Sequence, residues 1–85
     1  DNALGKKALI SLMLEHEKGA LSEVLNFLSS VNCNIITINQ NIPINNVASV
    51  VISFEISSTS LPPEDVVHEL KKIKYVKMSR LLAFE

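Results

Sequence analysis

A single cysteine, Cys33, stands among the 85 residues of this chain. No internal disulfide can form, and a reducing, cytoplasmic setting is expected. Glycine occurs only twice, which leaves no room for a Gly-rich phosphate-binding loop. Tryptophan is absent, Tyr75 is the one tyrosine and Arg80 the one arginine. Charge of either sign is scarce in net terms: eight basic against nine acidic residues leave −1, so no bulk attraction draws the chain to nucleic acid or membrane. No apolar run approaches the ~20 residues of a membrane span, and no signal-peptide pattern opens the chain. The first residue is Asp1 rather than Met, and the chain is expected to be one domain of something longer.

What is present is an apolar content of 47%, enough for a globular core. A domain this small buries only ~60% of its unfolded surface, and association with a second copy is expected. Ala8, Ile10, Leu12 and Leu14 alternate with Leu9, Ser11, Met13 and Glu15, as in a strand with one apolar and one mixed face. Leu21, Val24, Leu25, Leu28 and Val31 follow at helical spacing. Asn32 and Asn34 are expected to close that helix, because asparagine tolerates the left-handed backbone there. Residues 35–42 read as a second strand, placed at a sheet edge by Pro43, which cannot donate to a ladder. Asn45-Asn46 is a two-residue hairpin turn candidate, since both positions of a type I′ turn need positive φ.

The third strand is the clearest. Val50, Ile52, Phe54 and Ile56 share one face, and Ser49, Val51, Ser53, Glu55 and Ser57 the other. Ser57 to Ser60 reads as a loop, and Pro62-Pro63 suits the opening turn of a helix. Val66, Val67, Leu70 and Ile73 give that helix its stripe. Glu64 and Asp65 stand at its start and Lys71, Lys72 and Lys74 at its end, complementing the helix dipole. A last strand covers residues 75–84, with Val76 and Met78 expected inward. The order βαββαβ, with right-handed crossovers, predicts an α+β ferredoxin-like sandwich. Its four-stranded antiparallel sheet would run 2-3-1-4, with both helices on one face.

Catalysis finds no constellation to carry it, and the chain does not read as an enzyme. His16, His68 and Cys33 match no metal-ligand spacing, so neither metal nor cofactor is expected. Cys33 reads as a small buried hydrophobe. Sheet-based RNA readers stack bases on strand aromatics; here the open sheet face offers Leu9, Ser11, Met13, Val51 and Ser53. Leu9, Met13 and Val51, with Phe27 off the centre of the first helix's stripe, instead suggest a partner surface. A broad helix footprint on the sheet accounts equally for Phe27. Gly19, between a strand and a helix, marks a corner where amides can meet an anion, or simply a tight turn.

The run Leu14-Glu15-His16-Glu17-Lys18-Gly19-Ala20-Leu21, followed by Val24-Leu25, Leu28 and Asn34-Ile35, resembles the ACT domain. These small regulatory modules are attached to enzymes of amino-acid biosynthesis. The string from Asn34 to Pro43 is similar to the C-terminal ACT domain of short bacterial phenylalanine-biosynthesis-associated (PheB-like) proteins. Where the family loop commonly reads Asp, any residue, Pro, Gly, this chain has His16, Glu17, Lys18 and Gly19.

The resemblance implies an allosteric regulatory domain over residues 1–85, a homodimer that binds an amino-acid effector between subunits. Carried over, its ligand residues are Gly19, Ala20 and Leu21 in the loop, with Asn34 and Ile35 across the interface. Loop amides would meet the carboxylate, Asn34 the zwitterionic end, and Glu17 or His16 the ammonium. A module that only dimerises, without a ligand, is the other reading.

Overall fold

The computed structural model describes residues 6–56 and 59–84. Among them the order is β1 (Lys7–Glu15), α1 (Ala20–Ser30), β2 (Asn34–Gln40), β3 (Val47–Glu55), α2 (Pro63–Leu70) and β4 (Val76–Phe84). All pairings are antiparallel, and the sheet runs β2-β3-β1-β4. This is the ferredoxin-like sandwich expected from the pattern, with β2 at an edge. The second strand stops at Gln40, short of the expected residue 42, and Pro43 lies beyond it. Ser57 and Ser58, read as loop, lie outside the described residues.

Alternation sets the core. Ala8, Ile10, Leu12 and Leu14 of β1 and Ala48, Val50, Ile52 and Phe54 of β3 are all buried on the helix side. Val24 and Leu28 of α1 and Val66, Val67 and Leu70 of α2 close over them. On α1 the buried line is Ala20, Val24 and Leu28, spaced by four. Leu21, Leu25 and Phe27 are half-buried flanks packed against it, so Phe27 belongs to a broad footprint on the core.

The helix ends by a backbone device. Asn32 adopts φ 63°, the Cys33 amide donates to the Leu28 carbonyl at 2.9 Å, and the Asn32 amide donates to Ser29 at 3.0 Å. These are the two bonds of a Schellman motif. Asn32 therefore closes the helix, as its residue type suggested. Asn34 does not: it opens β2, with its Nδ2 donating to Glu55 Oε1 at 3.0 Å.

Asn45 (φ 52°) and Asn46 (φ 65°) form the expected tight turn. Ile44 and Val47 exchange amide–carbonyl bonds of 3.0 Å across it. One inward assignment is corrected. Leu14 pairs with Val76 and Met13 with Met78, so Lys77 bulges out and the alternation reverses beyond it. Val76 faces the core side, opposite Leu14, whereas Met78 lies on the open face beside Met13. Ser79 takes the inward place, opposite Leu12.

Candidate functional site

Two strands and a helix meet at the end of the sheet where β1 finishes. The corner is held by backbone bonds: His16 N–H to the Asn46 carbonyl at 2.7 Å, Glu17 N–H to Glu15 at 2.8 Å, and Ala20 N–H to Glu17 at 3.1 Å. Gly19 completes it at φ 87°, a conformation that L side chains adopt only with strain. The loop is thus fixed without the proline that the family pattern carries at the place of Lys18.

A cavity of about 190 Å³ opens at this corner. Its lining joins Leu14, His16, Glu17, Gly19, Ala20, Leu21 and Ser22 to Gln40 of β2 and Ala48 of β3. At about 30 Å³ per water it holds some six water volumes, smaller than the pockets that enclose drug-sized ligands. The floor is apolar and buried, supplied by Leu14, Ala20 and Ala48.

The rim is polar. No side chain caps α1. Among the described residues, the Leu21 and Ser22 amides of its first turn have no backbone acceptor, whereas Glu23 donates to Gly19. Those amides sit at the positive end of the helix and suit a carboxylate. The Glu17 carboxylate, exposed on the same loop, suits an ammonium.

Five of the seven expected ligand residues, namely His16, Glu17, Gly19, Ala20 and Leu21, come together here. Asn34 and Ile35 do not. β2 runs parallel to β1 away from them, so they lie at its far end, where Asn34 faces Glu55 on the open side. Gln40 and Ser22 are lining residues that the sequence reading missed. Ser22 follows directly from a helix beginning at Ala20, but Gln40 becomes visible only once β2 is paired with β3.

The residues expected at an interface fall on separate surfaces. Leu9 and Val51 are half-buried and Met13 is 37% exposed on the face opposite the helices. Val51 pairs with Ser11, between Leu9 and Met13 along β1. Phe27 sits on the helix layer. Burial pushes the Cys33 thiol up to about 11, so it is protonated at neutral pH and is no nucleophile. No group of three His, Cys, Asp or Glu among the described residues could hold a metal ion, and no described helix is long and apolar enough to cross a membrane.

No family model matches the chain. It is 49% identical over 85 residues to a UPF0735 ACT domain-containing protein of Clostridium acetobutylicum, covering 100% of the chain and 55% of that protein. The chain thus spans about half the length of such relatives. Among solved structures, the ACT domain from GTP pyrophosphokinase of Chlorobium tepidum superposes with a TM-score of 0.69 at 21% identity, over 89% of this chain and 96% of that one. A structure described as GqqA, a novel type of quorum quenching acylases, matches with a TM-score of 0.77 at 14% identity, over 99% of this chain and 43% of that one. At such identities these two likenesses speak for fold alone. The fold is the ferredoxin-like one seen in that ACT domain structure, and the relatives that the chain matches in sequence are ACT domain-containing proteins.

Proposed function

We propose that this domain is regulatory rather than catalytic, and that it binds an amino acid at an interface between two copies of itself. The observation that carries this reading is the corner cavity and its position. It combines two helix-start amides without a backbone acceptor, a loop carboxylate and an apolar floor, and it opens beside β2, whose outer edge has no strand against it among the described residues. Ile36 and Ile38 are 44% and 38% exposed along that edge.

A twofold pairing of identical edges is antiparallel by symmetry. It sets the start of one β2 beside the end of the other. Asn34 of one copy then stands next to Gln40 of its partner, which gives Asn34 and Ile35 the cross-interface position that the family resemblance implies. Binding at such a seam favours one pairing geometry over another, which is what a regulatory signal requires. The PheB-like resemblance makes phenylalanine the first effector to test.

The test is a thermal-shift screen of the chain against the twenty amino acids, repeated with Gln40→Ala and Asn34→Ala. A ligand at 100 times its Kd stabilises by ~2.7 kcal/mol. A shift from one or two amino acids that both substitutions weaken is the expected result. A flat screen at millimolar concentration from a chain that still dimerises would replace the sensor with a module that only associates.

A further inference from the structure

The two edges of the sheet are built differently. β4 carries Lys77 and Arg80 and is interrupted by two register shifts, where Lys77 and Leu82 bulge out. Charges and bulges of this kind keep an edge from recruiting another strand. The other side has a single register shift, at Ile36, and from Asn34 to Asn46 it holds no charged residue at all, only Asn, Gln, Thr, Pro and five isoleucines. Ile42 is 84% exposed and Ile44 72%, the two highest values among the exposed large hydrophobic residues described. Both lie beyond β2, in the tip that leads into the Asn45-Asn46 turn. Ile44 is held there by its bridge to Val47 rather than by the core.

We infer that this tip is an apolar clasp, in which Ile42 and Ile44 of each copy dock on the α1–β2 turn of a second copy of the chain. The inference rests on the edge-paired dimer proposed above. When two β2 strands pair about Thr37, residues 34 and 40 stand opposite. The tip then continues past the partner's strand, and Ile42 arrives level with residue 32 of that copy. There the partner's chain leaves the sheet through its Schellman turn, and the tip meets a side surface rather than a strand. Interface size argues the same way. A stable interface engages about 20–30 residues and ~800 Å² a side, which the seven residues of β2 cannot supply alone. Two symmetric tips extend it at both ends. With no charge in residues 34–46, the self-contact meets no like-charge repulsion within that segment.

Sedimentation equilibrium of the chain, with the double variant Ile42→Asn/Ile44→Asn and the edge variant Thr37→Lys alongside, tests this. Both isoleucines are outside the core, so circular dichroism and the monomer's unfolding midpoint should be unchanged in the tip variant. Its dimer Kd is expected to rise at least about tenfold, while Thr37→Lys gives a monomer. A tip variant that dimerises like the parent, while Thr37→Lys still dissociates, would overturn the clasp and leave the edge-paired dimer standing. A parent chain that is monomeric at hundreds of micromolar would remove the dimer and the clasp together. A dimer indifferent to both variants would place the interface elsewhere and overturn both as well.

Discussion

Ser79 occupies an inward position of β4 and is 4% exposed, and its hydroxyl has no partner in the structure. Its backbone serves the ladder opposite Leu12; its side chain only brings a polar atom into an apolar layer. A buried unsatisfied group of this sort costs about 1–3 kcal/mol. Removing the hydroxyl also removes little volume, so the gain should exceed the loss of contact. Ser79→Ala is therefore expected to raise stability by about 1 kcal/mol, read as a higher urea midpoint with an unchanged slope. A fall in midpoint would mean that the hydroxyl is satisfied in solution, by a water for instance. Sequence alone could not flag this residue, because its facing depends on the bulge at Lys77. Strict alternation assigns Met78 to the core and Ser79 to solvent, and one extra residue exchanges them.

Elements whose geometry is set by neighbours in sequence were legible from residue types. The αL position at Asn32, the turn at Asn45-Asn46 and the proline-led start of α2 each rest on a local backbone preference. The end of β2 and the bulges of β4 were not, since they depend on which strand lies alongside. The turn supplies a prediction of its own. Type I′ geometry requires positive φ at both central residues and favours Asn-Gly, and here Asn46 is held at φ 65°. Asn46→Gly should relieve that strain and stabilise the hairpin by about 0.5 kcal/mol, net of the extra freedom glycine has when unfolded. Thermal unfolding would show it as a modest rise in Tm. Because the Asn46 carbonyl also accepts from the His16 amide, a drop would indicate that the turn's exact path supports the cavity loop.

At the scale of the whole molecule, the cavity and the β2 edge are one feature, since Gln40 belongs to both. This is why half of the candidate site could be read from the chain. The loop and helix start are contiguous, from His16 to Ser22, but their counterpart on β2 is fixed by sheet order and, in the proposed dimer, by symmetry. If the effector binds at that seam, linkage requires reciprocity: a ligand that binds the dimer more tightly must also tighten the dimer, by the same factor. Sedimentation with and without the amino acid found in the screen should therefore show a lower dimer Kd. Ligand affinity should in turn improve as chain concentration passes that Kd. Binding without any change in association would place the effector within a single copy.

The strand order carries one more consequence, for the time before the domain is complete. β1 is made before the other three strands of this sheet, yet it lies between β3 and β4. At 5–20 residues per second, roughly 3–12 s separate the end of β1 from the start of β4 on the ribosome. Until β4 emerges, one flank of β1 has an open hydrogen-bonding edge and Ile10 and Leu12 lack their neighbours Leu81 and Ser79. The nascent chain therefore presents a central strand with a wholly apolar core face, half-paired, to whatever waits at the tunnel exit.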